Sequence, residues 1–140
     1  CGVSALKNVR LKQVCSLTTI ILQVKTVRAG ETVGYSRNGV VEEDKRIAIL
    51  PLGYADGFNR KFGNGLGDVY IKGSRVKVIG NVSMDVTAID LGDVDAREGD
   101  SVEIFGDHIL ISEIAEKIGT IPYEILTNVS RRVKRIYFQE

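Results

Sequence analysis

Hydrophobic positions in this chain come in short β-branched runs separated by glycine-bearing turns, and only one stretch has clear helical spacing. From Leu11 to Val27 the residues Val14, Leu17, Thr18, Thr19, Ile20, Ile21, Leu22 and Val24 appear with no proline or glycine among them. This branched character predicts one long strand. After a turn at Ala29-Gly30, "ETVGYSRNGVV" predicts a hairpin arm with Asn38-Gly39 as its tight turn. "RIAILPL", Arg46 to Leu52, is a nearly unbroken apolar run and predicts a buried strand, with Pro51 at an end or an edge. Further strands are predicted in "DVYIKGSRVKVIG", "VSMDVTAIDL" and "DSVEIFG", and a last one in "RRVKRIYF". "ISEIAEKIG" reads as a helix with Ser112 as N-cap, Ile114 and Ile118 on one face and Gly119 as the stop. Pro122 is suited to the first turn of a second short helix. Together these elements predict a mainly β domain, a small antiparallel barrel or sandwich with one or two short helices near the C-terminus.

One connection stands out. Gly53 to Gly67, "GYADGFNRKFGNGLG", holds five glycines and is far longer than the roughly 2 to 6 residues of an ordinary connection. A loop of that kind in a small domain points to function.

Composition narrows the picture without selecting a chemistry. The 140 residues, 44% hydrophobic and 26% charged, fit one domain. Nineteen basic side chains against 18 acidic ones leave a net charge of +1, so no general attraction to a polyanion is expected. Cys1 and Cys15 cannot build a disulfide framework, which fits a reducing compartment. "LTTIILQV" is too short and too polar to span a membrane, and no segment has the make-up of a signal peptide.

Candidate chemistry is sparse. His108, the only histidine, sits in the turn "FGDHILI" and reads as a solvated position, and a single histidine rules out most metal sites and Ser-His triads. "GNGLGD" lacks the lysine and the following helix of a phosphate loop. "RRVKR", Arg131 to Arg135, places four cations in five residues. On a strand it would either bind phosphate or RNA or serve as a charged edge that resists aggregation. Tyr35 and Tyr54 are, by local physics, half-buried residues with hydroxyls at a barrel rim.

The order of four segments adds what local physics does not. "LQVKTVRAGETVGYSRNG", "RIAILPLGYADGFNRKF", "VIGNVSMDVTAIDL" and "PYEILTNVSRRVKRIY" together resemble the C-terminal domain of alanine racemase, from about Leu11 to Tyr137. That family interconverts L-alanine and D-alanine with pyridoxal 5'-phosphate, supplying D-alanine for peptidoglycan in the bacterial cytoplasm. The resemblance implies an N-terminal α/β barrel that holds the cofactor on a Schiff-base lysine, with residues 1–10 as the linker from that barrel domain. It also implies a head-to-tail homodimer in which each β domain completes the other subunit's active site. A fragment without the barrel is expected to bind no cofactor and to be inactive alone, with neither nucleic acid nor membrane as a partner.

Residue roles follow from the same resemblance. Tyr35 in "VGYSR" matches the tyrosine that serves as acid and base on one face of the substrate. Met84 in "SMD" matches the methionine whose backbone meets the substrate carboxylate. Tyr54 narrows the substrate entrance, with Asp85 and Asn81 beside it. Asn81 departs from the arginine of many members and should make the access corridor less cationic. Ser130 and Arg131 match the segment that approaches the cofactor phosphate, where Arg131 replaces a tyrosine. The competing reading is a small β-barrel binding or dimerisation module acting through "RRVKR".

Overall fold

The computed structural model describes residues 14–34, 36 and 39–138; the linker expected at residues 1–10 lies outside them. Nine strands and two helices follow in chain order: β1 (Leu17–Ile20), β2 (Gln23–Val27), β3 (Thr32–Val33), β4 (Gly39–Val40), β5 (Lys45–Leu50), β6 (Asp68–Ile71), β7 (Ser74–Ile79), β8 (Thr87–Asp90), β9 (Ser101–Phe105), α1 (Ile111–Ile118) and α2 (Pro122–Asn128). Seven strands form one antiparallel sheet in the order β1-β9-β6-β7-β8-β5-β2, and β3 pairs with β4 separately.

The two edges of that sheet, β1 and β2, are consecutive in the chain. Only Ile21 and Leu22 separate them, so the sheet must curl until its edges nearly meet. The Ile21 amide donates to the Asp100 carbonyl at 2.9 Å on one side, and the Leu22 amide donates to the Ile49 carbonyl at 2.8 Å on the other. The single long strand expected from Leu11 to Val27 is therefore two strands, and its Leu11–Gln13 portion lies outside the described residues. An unbroken β-branched run conceals the crossing because Ile21 stays buried as it changes edges.

Core packing explains why β5 reads as a continuous apolar run. Ala48 and Leu50 face the main core with Ile89, while Ile47 faces a smaller cluster of Val27, Val33, Val41 and Ala88 under the β3-β4 hairpin. A strand covered on both faces has no polar side to alternate with. β7, covered on one face only, alternates: Val76 and Val78 point inward, Arg75 and Lys77 outward. In α1 the residues Ile111, Ile114, Ala115 and Ile118 form the buried stripe of an amphipathic helix.

Four expectations are corrected. Gly39 does not form the tight turn of the hairpin, because it is paired with Val33 in the β3-β4 ladder; Asn38 lies outside the described residues. Helix α1 is capped by Leu110, and Ser112 stands inside its first turn. Of "VSMDVTAIDL" only Thr87–Asp90 is strand, since Ser83 turns the chain by bonding the Val86 carbonyl through both its amide and its hydroxyl. Residues 131–138, expected as the last strand, form none. Their cations find nearer partners than a sheet edge: Arg135 donates to the carbonyls of Val129 and Ser130 at the end of α2, and Arg132 turns toward two carboxylates.

Candidate functional site

Three loops converge at one end of the sheet: residues 53–57 after β5, residues 80–86 between β7 and β8, and residues 129–133 after α2. The first two are joined main chain to main chain. The Tyr54 and Ala55 amides donate to the Ser83 and Met84 carbonyls, both at 3.0 Å. Gly53 makes this approach possible, because a Cβ there would stand 2.2 Å from the Met84 carbonyl oxygen. Below the junction, the buried Thr87 hydroxyl donates to the Leu52 carbonyl at 2.6 Å.

This arrangement leaves side chains facing outward. Tyr54 is 41% exposed, Met84 53% and Val86 41%, which is high for apolar side chains on one contiguous rim. With Arg60, Ser83 and Asp85 they line a shallow groove. The Arg60 guanidinium lies over the Tyr54 ring, 5.9 Å from its centroid, in a cation–π placement.

Asp56 organises the third loop. One of its carboxylate oxygens accepts from the Gly53 amide at 2.8 Å, its carbonyl accepts from the Ser130 amide at 3.0 Å, and its other carboxylate oxygen accepts from Arg132 Nε at 2.7 Å. Arg132 Nη2 reaches Asp85 at 2.7 Å as well. A single guanidinium thus ties Asp56 and Asp85 together. Hydrogen bonds from Arg132 to Asp56 first, then to Asp85, push its pKa above the ordinary arginine value. The neighbouring Arg131 is exposed, and no hydrogen bond or ion pair among the described residues engages its side chain.

The expected site residues are thereby placed. Tyr54, Met84 and Asp85 share one rim, and Ser130 bonds the same loop through its backbone. Asn81 Oδ1 accepts from Asn64 Nδ2 at 2.9 Å. Tyr35 lies outside the described residues, but the hairpin corner that leads to it rests on this rim. A Cβ on Gly34 would be 2.6 Å from the Asn81 amide nitrogen, and one on Gly80 would be 2.3 Å from the Val33 carbonyl oxygen. Glycine on both sides lets the two backbones touch.

His108 stands elsewhere, stacked on Tyr70 with ring centroids 3.8 Å apart and bonded to Glu103 at 3.0 Å. Half of its side chain is exposed, in keeping with a solvated turn. No group of three or more His, Cys, Asp or Glu among the described residues could hold a metal, and none of the described helices is long and apolar enough to cross a membrane. Sequence reasoning missed Arg132 and Arg60. Arg132 had only its place in a basic run to mark it, and Arg60 only its place in the glycine-rich loop.

Comparison with known proteins turns this geometry into a family assignment. A family model described as "Alanine racemase, C-terminal domain" matches residues 14–137. An alanine racemase of Pseudomonas taetrolens is 43% identical over 132 residues, covering 94% of this chain and 36% of that protein. One from Marinobacter nauticus is 42% identical over 123 residues, covering 87% of this chain and 34% of that protein. The solved biosynthetic alanine racemase of Pseudomonas aeruginosa superimposes with a TM-score of 0.89 at 36% identity, over 99% of this chain and 40% of that one. The Bartonella henselae enzyme, solved with covalently bound pyridoxal phosphate, gives 0.91 at 35% identity, over 98% of this chain and 39% of that one. The chain spans a little over a third of the length of the relatives it matches. With its curled seven-stranded sheet and its two short helices, this chain belongs to the alanine racemase C-terminal domain family.

Proposed function

We propose that this domain serves an alanine racemase, an isomerase interconverting L-alanine and D-alanine, by presenting Tyr35, Tyr54 and Met84 to an active site completed by a second subunit. The observation that carries the reading is the shared rim. Tyr54 and Met84 are exposed side by side on loops locked by backbone hydrogen bonds, and the corner preceding Tyr35 packs on the same loop. Rigid placement of exposed groups at a loop junction is what an active site completed by another chain requires.

The local chemistry also fits a phosphate-bearing cofactor. Asp56 and Asp85 would repel a phosphate; Arg132 bonds both and offsets one of their two charges, and the exposed Arg131 is a second cation available to meet a phosphate. Arg131 and Ser130 would approach the phosphate of pyridoxal 5'-phosphate, and this chain supplies no Schiff-base lysine. When bound, the cofactor is an electron sink that stabilises negative charge at the alanine Cα. Racemisation must then return the proton to the face opposite the one it left, so each face needs its own acid-base group. The Tyr35 phenol gives and takes the proton on one face. Its ordinary pKa near 10 means that it must be helped by cations or donors on the barrel. The Met84 backbone receives the substrate carboxylate, and Tyr54, Asp85 and Asn81 border the entrance. Asn81, paired with Asn64, makes that entrance less cationic than an arginine would. The domain works in a head-to-tail homodimer in the bacterial cytoplasm, contributes D-alanine to peptidoglycan, and is inactive without its barrel.

Racemisation in both directions by the full-length enzyme, with and without Tyr35→Phe, tests the reading. The Phe variant should lose activity, with deuterium incorporation from the two enantiomers impaired unequally because the other face keeps its own base. Wild-type rates from Tyr35→Phe would rule out the acid-base role.

A further inference from the structure

The Arg132 side chain bonds a carboxylate on each of the two substrate-facing loops, and it arises from the segment that carries Ser130 and Arg131. Its Nε bonds Asp56 at 2.7 Å and its Nη2 bonds Asp85 at 2.7 Å. Asp56 immediately follows Tyr54-Ala55, and Asp85 immediately follows Met84. The carboxylates differ in setting: the Asp56 side chain is 13% exposed and already holds the Gly53 amide, whereas the Asp85 side chain is 59% exposed. Asp56 is thus the fixed anchor and Asp85 the movable arm. An isolated surface ion pair contributes little to stability, so a planar guanidinium spanning two loops has its main effect on geometry.

We propose that Arg132 is a positioning residue, a clamp that sets the Met84-Asp85 segment against the Tyr54-Asp56 loop and thereby fixes the backbone that receives the substrate carboxylate. The inference rests on the reading of Met84 given above. Arg132 contacts neither substrate nor cofactor. Its loss releases the Asp85 arm, while the backbone bonds from Tyr54 and Ala55 keep the junction assembled. The substrate carboxylate is held alike in the ground state and the transition state, so weakening that contact raises KM and leaves kcat nearly unchanged.

The test compares full-length wild type, Arg132→Ala, Arg132→Lys and Asp85→Asn, reading kcat and KM for both alanine enantiomers and amide hydrogen exchange over residues 53–57 and 83–86. Arg132→Ala should raise KM about tenfold with kcat within about twofold, a displacement effect of the size that loosened positioning produces. Arg132→Lys should fall between, because an ammonium reaches one carboxylate well and not both. The double variant Arg132→Ala/Asp85→Asn should be no worse than Arg132→Ala alone, since both changes break the same bond. Exchange over residues 83–86 should rise in every variant. An unchanged KM in Arg132→Ala, or a fall in kcat at constant KM, overturns the clamp. Should Arg132→Ala not fold, Asp85→Asn decides alone, and unaltered KM and exchange there overturn it equally. A wild-type enzyme without alanine racemisation would sink the proposed function instead, and the exchange measurement would still decide whether the clamp exists.

Discussion

Replacing Gly53 by alanine isolates the contact that seats Met84. Gly53 has φ −144° and ψ −166°, an extended backbone open to any residue, so the cost of a methyl group there is one of space. The new Cβ would stand 2.2 Å from the Met84 carbonyl oxygen, 2.4 Å from its carbonyl carbon and 2.4 Å from the Ser83 carbonyl oxygen. All three are backbone atoms that cannot swing aside, and ordinary nonbonded separations are roughly 3.5 Å, so residues 83–84 must retreat by about 1 Å. That retreat breaks the two hydrogen bonds donated by the Tyr54 and Ala55 amides, each contributing about 1 kcal/mol. Forced repacking adds roughly another 1 kcal/mol at the low end of such substitutions, for a local loss of about 3 kcal/mol.

Hydrogen exchange of the Tyr54 and Ala55 amides in the full-length protein measures this loss. A change of that size speeds exchange through local opening about a hundredfold, and KM for alanine should rise with it. Gly73→Ala is the control: its Cβ meets nothing within 4 Å, and its only handicap is a φ of +84°. It should cost about 1 kcal/mol at the β6-β7 turn and leave residues 83–86 untouched. Exchange at Tyr54 and Ala55 within twofold of wild type in Gly53→Ala would refute the claim that this close approach holds Met84 in place.

Gly80→Ala combines a φ of +67° with a Cβ 2.3 Å from the Val33 carbonyl; it should push the β3-β4 hairpin off the rim and depress kcat more than KM, measured in steady-state racemisation. Ile89→Ala, at a fully buried position, should destabilise by about 2–5 kcal/mol in denaturant unfolding, whereas Val86→Ala on the exposed rim should stay within about 0.5 kcal/mol. Acid should weaken the fold through Asp68 and Glu103. Burial pushes both carboxyls up, but hydrogen bonds from Lys117 and Lys77 to Asp68, and from His108 and the Ile109 amide to Glu103, outweigh it and leave both below their ordinary values of 3.8 and 4.5. Stability from a lowered carboxylate is fully present above the unfolded value and is lost as pH falls through the folded one. The midpoint of unfolding should therefore be flat from neutrality to about pH 5 and drop below about pH 4, with the drop reduced in Asp68→Asn.

What could be read in the sequence depended on whether one local period governed a segment. The apolar run of β5 and the Ile111-Ile114-Ala115-Ile118 stripe of α1 each follow a single packing environment, and both were legible. The β1-β2 crossing was not, because Ile21 remains buried while the main-chain partner changes from Asp100, bonded by the Ile21 amide, to Ile49, bonded by the Leu22 amide, across one residue. "RRVKR" misled for a related reason. Alternation predicts a strand only where a sheet edge competes best for the backbone, and here Asp56, 76 residues away, and Asp85, 47 residues away, compete better for Arg132. Those partners meet only in three dimensions, so a cation inside a basic run carried no sign of its role. Tyr54 and Met84 became candidates through the order of motifs, since an exposed tyrosine and methionine have no local signature.

The rim is held mainly by main chain, and this decides which changes can reach it. Met84 is seated by its own carbonyl and that of Ser83, and its side chain points away from the junction, 53% of the residue being exposed. Side-chain substitution at Met84 therefore leaves the seating bonds intact and alters only the groove wall. The same logic holds at Asn81, whose backbone packs under Gly34 whatever its side chain does. Placement of the rim is thus written in Gly34, Gly53 and Gly80, where a single carbon would separate the loops, and in the Arg132 bridge that closes them from outside. On the proposed reading, in which Tyr35 is delivered to another subunit, this kind of support is needed because the partner groups would lie across an interface and could not correct an error in its position. Variation in substrate access can then accumulate in the exposed side chains while the distance between Tyr54 and Met84 stays fixed.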